Sequence, residues 1–141
     1  MDLDQVSFVV DENLLRLGNG LVAVRRDAAR FSRSPVHELL PSGILDPEWI
    51  PVVGDRGWIV ITSDKRLRTR PAEASLAVMH KLKAIHLHNV GDRTAWDQLS
   101  RLTARWEAVE RQAGVEGPWW LSLRRDRAAV MRFEPGAVER A

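Results

Sequence analysis

Two short apolar runs in this chain each end in an acidic residue. Phe8, Val9 and Val10 are followed by Asp11, and the run from Trp58 to Ser63 is followed by Asp64. Continuous apolar runs of this length are typical of strands buried on both faces of a parallel sheet. Open α/β sheets bind their ligands beyond the carboxyl ends of the strands. Both acids are therefore predicted to lie at that edge.

A third acid is expected at the same edge. Asp46-Pro47-Glu48-Trp49 has the form of a helix start, with an acid at the N-cap and proline in the first turn. Carboxylates that meet at one edge repel each other unless a proton or a cation lies between them. Because Mg²⁺ and Mn²⁺ prefer such hard oxygen ligands, Asp11, Asp46 and Asp64 are predicted to bind one of these ions and to act on phosphates.

Each acid also has an ordinary structural interpretation. Asp46 alone is a common N-cap residue, and Asp11 and Asp64 are common turn residues. Glu12 and Glu73 are second-rank ligand candidates. Glu12 follows Asp11 directly, and Glu73 lies in the first turn of a predicted helix, where an acid is favourable in any case.

Strand and helix patterns alternate as far as Asn89, which predicts an α/β fold with mostly parallel pairing. Strands are predicted from Val6 to Asp11, Pro35 to Leu40, Trp58 to Ser63 and Ala84 to Asn89, and helices begin at Asp46 and Pro71. A further helix is predicted from one apolar face, formed by Leu21, Val24, Ala28 and Phe31, with Asn19 as its cap.

The remainder is predicted to be one long amphipathic helix and a β-hairpin. The helix carries an apolar stripe from Trp96 to Val109 and is capped by Asp92 or Thr94, and the hairpin is formed by Trp119 to Leu123 and Ala128 to Phe133. We expect one domain over residues 1–133, with a core of 6–90, a C-terminal part of 92–133 and a frayed tail of 134–141. The stripe could pack internally or against a second copy, so a homodimer is left open.

Composition narrows the class of protein. The 141 residues suit a single domain, and the absence of cysteine excludes disulfides and thiolate metal sites. No apolar run is long enough to span a membrane and the start has no basic signal region, so we expect a cytoplasmic protein without a membrane partner. Basic residues cluster from Lys65 to Arg70, which suits a polyanion near an acidic centre, although a net charge of +2 also fits an ordinary mixed surface.

The aromatic residues and histidines are given structural interpretations. Most tryptophans, Trp96 among them, lie at apolar positions of helices or strands, which favours core packing over base stacking. Either Trp119 or Trp120 is expected to be exposed, because adjacent strand residues face opposite sides. His86 and His88 share one strand face, but the sequence offers no clear third ligand for zinc.

Residues Phe8 to about Glu73 resemble the PIN-like domains, in the group related to VapC-type toxin ribonucleases. Three segments carry the resemblance: FVVDEN at 8–13, DPEWI at 46–50 and GWIVITSDKR at 57–66, followed by residues 68–73. The resemblance implies a three-layer α/β/α fold with a central mostly parallel sheet. It also implies that Asp11, Asp46 and Asp64 gather around Mg²⁺ or Mn²⁺ to cleave RNA, with a small antitoxin protein as partner.

The chain departs from the family at one position. Many PIN-like domains carry a glutamate on a helix between the first two aspartates, where this chain has Arg25, Arg26, Asp27 and Arg30 and no clear glutamate match. Glu12 or Glu73 could substitute for it.

Three functions follow from these residues. The first is a metal-dependent ribonuclease, the toxin of a toxin–antitoxin pair, in which Lys65, Arg66, Arg68 and Arg70 hold flanking phosphates. The second is a catalytically weak binding or regulatory module with the same fold, favoured by the missing glutamate. The third is a phosphatase or phospho-acceptor domain, for which the partner residues cannot be placed.

Overall fold

The structure is a computed structural model that describes residues 1–138. Its strands are β1 (Phe8–Val10), β2 (Ala28–Arg30), β3 (Ile59–Thr62), β4 (Lys83–Leu87), β5 (Trp119–Leu123) and β6 (Ala128–Met131). Its helices are α1 (Leu15–Val24), α2 (Asp46–Asp55), α3 (Pro71–Met79), α4 (Ala95–Ala104) and α5 (Trp106–Ala113). The strand order is β2-β1-β3-β4-β5-β6, and within the described residues the only antiparallel pair is β5 with β6.

Helices cover both faces of this sheet. On one face, Val9, Val60 and Ala84 pack against α2 and α3 through residues such as Trp49 and Ala77. On the other, the alternate strand residues pack against α1, α4 and α5. The predicted three-layer α/β/α arrangement with a mostly parallel sheet and an added C-terminal hairpin is confirmed.

The predicted helix with Asn19 as its cap is wrong in its bounds. Asn19 lies inside α1, while Ala28 belongs to β2 and Phe31 follows it. Gly18, one residue before Asn19, is buried where α1 crosses β2. A β-carbon at Gly18 would lie 3.0 Å from the Cβ of Arg30. Parallel pairing of Ala28 with Phe8 fixes this segment as a strand, which a helical spacing of apolar residues could not reveal.

Three further predictions are corrected. Pro35 to Leu40 forms turns rather than a strand, and it fills the core through Val36 and Leu40. The single long helix is divided at Arg105 into α4 and α5. Trp96 is 75% exposed instead of buried.

The terminal hairpin and the tail that follows it each differ from expectation in one respect. Trp119 and Trp120 are both buried, because β5 is covered on both faces. The expected frayed tail is anchored at its start: the amides of Glu134 and Gly136 donate to the carbonyls of Arg68 and Thr69. The rest of that prediction, residues 139–141, lies outside the described residues.

Within residues 1–138, none of the helices has both the length and the apolar composition needed to cross a lipid bilayer.

Candidate active site

A buried threonine joins the two strand-end acids. Thr62 is the last residue of β3 and has no exposed surface. Its Oγ1 donates to Oδ2 of Asp11 at 3.0 Å and accepts from the backbone amide of Asp64 at 3.1 Å. The amide of Asn13 approaches the same hydroxyl at 3.4 Å. The carboxylate of Asp11 and the backbone amide of Asp64, which are far apart in the sequence, therefore contact one hydroxyl at the carboxyl edge of the sheet.

Asp11 lies in surroundings that oppose its ionisation. The pKa of its carboxyl is raised to about 6, mainly by burial and in smaller part by the negative charges of Asp46 and Asp64, while the hydrogen bond from Thr62 partly offsets the rise. A bound cation at this position would offset both effects.

Asp46 is the third acid at this edge. It is the first residue of α2, and its Oδ1 accepts from the indole Nε1 of the buried Trp49 at 2.8 Å. Its Oδ2 lies 3.7 Å from Nη1 of Arg70. Asp46 thus acts on Asp11 through its charge, while its own oxygens contact Trp49 and Arg70.

The donor set suits a hard divalent cation held by few protein ligands. As the side chains stand, no three or more histidine, cysteine or acidic residues in the described part of the chain surround a common metal position. Mg²⁺ keeps several waters and is commonly held by one or two carboxylates together with substrate phosphates. Asp11 and Asp64 supply such a pair, so the residues fit Mg²⁺ or Mn²⁺.

The second-rank acids have other surroundings. Glu12 accepts from the Gly43 amide at 2.8 Å and from the Ser42 hydroxyl at 3.4 Å, so it holds the loop before α2. Glu73 lies in the first turn of α3 and has one buried carboxylate oxygen without a hydrogen-bond partner. Its charge is not among those that act on Asp11.

The predicted phosphate contacts fall into two groups. Lys65 and Arg66 are exposed beside Asp64, and Arg70 is partly exposed beside Asp46. The predicted phosphate contact of Arg68 does not fit the structure. Arg68 is only 8% exposed, and its Nη1 donates to the carbonyl of Arg132 at 2.9 Å. Arg68 therefore ties the segment before α3 to the residues after β6, and it is too buried to meet a phosphate from solution.

Sequence patterns did not reveal the polar row along this edge. In the register of the sheet, Thr62 pairs with His86 of β4, which pairs with Ser122 of β5. Paired residues share a face, so these side chains continue the line that begins at Asp11. The alternation of side chains within β5 could have placed Ser122 on the same face as Trp120. It could not have aligned Ser122 with His86 and Thr62, because that alignment depends on the register between strands in the folded sheet.

His86 is held in its neutral form. Burial lowers its pKa to about 4, and the positive charges of His88, Arg124 and Lys65 act in the same direction. Its ring stacks on Trp120 at a centroid distance of 4.9 Å and lies 5.9 Å from the ring of His88. Packing, rather than a zinc site, accounts for this histidine.

Comparison with known proteins gives one match. A family model described as "PIN like domain" matches residues 6–89 of the chain, which include Asp11, Asp46 and Asp64. No curated protein and no solved structure matches the chain.

Proposed function

The chain belongs to the PIN-like domain family, and on that premise we propose that it is a metal-dependent ribonuclease that cleaves RNA phosphodiester bonds. Nuclease activity is plausible for such a domain. The observation that supports it best here is the hydroxyl of Thr62, which joins Asp11 and Asp64 at the carboxyl edge of the sheet. Open α/β sheets bind their ligands at that edge.

Each residue has a role in this proposal. Asp11 and Asp64 would hold Mg²⁺ or Mn²⁺ through their carboxylate oxygens, and Thr62 fixes the orientation of Asp11. Such a cation would supply the positive charge needed to activate a water and to stabilise the leaving oxygen of the phosphodiester. Asp46, fixed by Trp49, orients the attacking water, and Lys65 and Arg66 contact the neighbouring phosphates.

Neutralising either strand-end acid tests the proposal. We expect Asp11→Asn and Asp64→Asn to reduce Mn²⁺-dependent cleavage of a labelled single-stranded RNA by at least about 100-fold, since loss of a charged ligand weakens both cation binding and catalysis. Asp4→Asn, at an exposed acid near the N-terminus, is the matched control and should cleave like the unaltered protein. Full activity of both site variants, with circular dichroism unchanged, would remove the catalytic assignment.

A second function is favoured by two observations. Residues 1–138 contain no three-ligand group, and arginines occupy the segment where many PIN-like domains carry a glutamate. A binding or regulatory module that retains the fold would match both. Titration calorimetry with Mn²⁺ separates the two proposals. A metal-dependent ribonuclease should bind Mn²⁺, and the Asp11→Asn variant should not. A binding module should show no Mn²⁺ binding in the unaltered protein.

We also propose that the protein is the toxin of a toxin–antitoxin pair, with a small antitoxin that covers the acidic site. This rests on the resemblance to VapC-type ribonucleases alone. Growth arrest on expression, relieved by Asp11→Asn and by co-expression of a small protein encoded beside it, would support the proposal, and unimpaired growth would refute it.

A further inference from the structure

A basic cavity lies at the carboxyl edge of the sheet, on the face that α4 covers. It has a volume of about 580 Å³ and lies between α4 and the residues that follow β4 and β5. Four arginines line the cavity, namely Arg93, Arg101, Arg105 and Arg125. The acidic residue in its lining is Asp97. Such an excess of guanidinium groups around one cavity points to an anionic ligand.

Backbone carbonyls orient the two inner arginines. Nη1 of Arg101 donates to the carbonyls of His88 at 2.8 Å and Leu123 at 3.2 Å. Nη2 of Arg105 donates to the carbonyl of Arg125 at 2.6 Å. These bonds fix the guanidinium groups at the ends of β4 and β5, so the positive charge is held in place before any ligand arrives.

The arginines are close enough to repel one another. Burial lowers the pKa of Arg101, and the positive charges of Arg105, Arg125 and Arg93 lower it further. Like charges gathered in this way are relieved by an anion, and arginine forks match the oxygens of a phosphate group.

The cavity and the acidic site lie at the same carboxyl edge of the sheet. His88 lines it, and the ring of His88 lies 5.9 Å from that of His86, which pairs in register with Thr62. Since β1 and β4 are separated by two strand spacings, the end of β4 that leads into the cavity lies about 10 Å from the end of β1 that carries Asp11. A flexible single strand crossing the carboxyl edge would meet both places.

We propose that the four-arginine cavity binds backbone phosphates of single-stranded RNA whose scissile phosphate lies at Asp11 and Asp64. This proposal rests on the ribonuclease function for the identity of its ligand. The cavity then holds the flanking part of the substrate, away from the bond that is cut.

The test uses the two outer arginines, whose exposed side chains can be changed without removing the carbonyl contacts of Arg101 and Arg105. For the double variant Arg93→Gln/Arg125→Gln, we expect about tenfold weaker binding of a fluorescent single-stranded RNA in EDTA, measured by anisotropy. The slope of log affinity against log salt concentration, which is negative, should become shallower by about 1.4, because two phosphate contacts are lost. The control Arg26→Gln/Arg111→Gln removes the same charge from exposed positions outside the cavity.

Hydrolysis of bis(p-nitrophenyl) phosphate with Mn²⁺ distinguishes this proposal from the proposed function. This small phosphodiester cannot span both places, so the cavity variant should hydrolyse it like the unaltered protein. If the unaltered protein does not hydrolyse it, the nuclease proposal is weakened while the RNA affinities still decide the cavity's role. RNA affinity and salt slope equal to those of the unaltered protein, or an equal loss in the control, would overturn the proposal.

Discussion

At the scale of single residues, the ionised carboxylate of Asp11 lowers the free energy of unfolding at a position where it could bind a cation. Its carboxyl is partly buried and lies near Asp46 and Asp64, and its pKa is raised to about 6. In the unfolded chain the same group has a pKa of about 3.8. Ionisation of Asp11 at neutral pH therefore destabilises the folded protein, and a cation bound to the carboxylate would restore that stability. Such an electrostatic environment is expected of a metal ligand.

The sign of this effect gives a pH prediction. Between about pH 4 and pH 6 the folded protein holds a proton on Asp11 that the unfolded chain does not, so the free energy of unfolding falls as pH rises through this window. Asp11→Asn removes this dependence, so without metal it should be more stable than the unaltered protein by roughly 1–3 kcal/mol at pH 7 and by little at pH 4. Urea unfolding at both pH values measures the difference.

The exposed Asp126, in the turn between β5 and β6, provides the control Asp126→Asn, which should leave the pH dependence unchanged. Mn²⁺ should stabilise the unaltered protein at pH 7 more than it stabilises Asp11→Asn. Parallel pH profiles for Asp11→Asn and the unaltered protein would contradict the role assigned to burial and neighbouring charge.

At the scale of elements, the spacing of α2 and α3 positions Asp46 against Arg70. Gly54 of α2 sets this spacing, because its Cα faces the backbone carbonyl of His80 at the end of α3. A β-carbon there would overlap that oxygen and lie 2.9 Å from Cβ of His80. The contact is with backbone, which cannot rotate away, so any larger residue must push the helices apart.

Two glycine substitutions in helices test this packing. Gly54→Ala should lower the free energy of unfolding by about 1–3 kcal/mol through overpacking. Gly20→Ala, inside α1 where a β-carbon meets nothing within 4 Å, should raise it by about 0.5–1 kcal/mol because alanine favours the helix. Urea unfolding of both variants gives the comparison, and equal shifts of the same sign would contradict the close approach of α2 to α3.

Local sequence signals predicted the elements that carry the acids, and long-range pairing decided the rest. The apolar runs before Asp11 and Asp64 and the proline at the start of α2 are local features that place the three aspartates at one edge. The orientation of Asp46 toward Trp49, the burial of Arg68 and the bonds of Thr62 depend on tertiary contacts that leave no periodic trace in the sequence. The same holds for β2, whose identity as a strand comes from its pairing with β1.

At the scale of the whole molecule, the sheet extends beyond the part that the family model matches. That match ends at residue 89, just after β4, whereas β5 continues the sheet in parallel with β4 and β6 closes it. Both cores contain aromatic residues from this later part, with Trp120 and Phe133 on one face and Trp119 on the other. The C-terminal part also supplies the four arginines of the basic cavity. It is therefore part of the folding unit and of the proposed substrate path.

A chain ending at Asn89 should consequently fail to fold cooperatively. It leaves β4 as an unpaired edge and removes three buried aromatic residues, each worth about 3 kcal/mol or more, from a protein whose total stability is expected to be about 5–15 kcal/mol. Near-ultraviolet circular dichroism and urea unfolding, compared with the full chain, should show lost tertiary signal and no sigmoidal transition. A sigmoidal transition with native-like tertiary signal would show that residues 90–138 only decorate a self-sufficient domain. In that case the basic cavity would be an appended substrate-binding element, and RNA affinity, rather than folding, would be what the shortened chain loses.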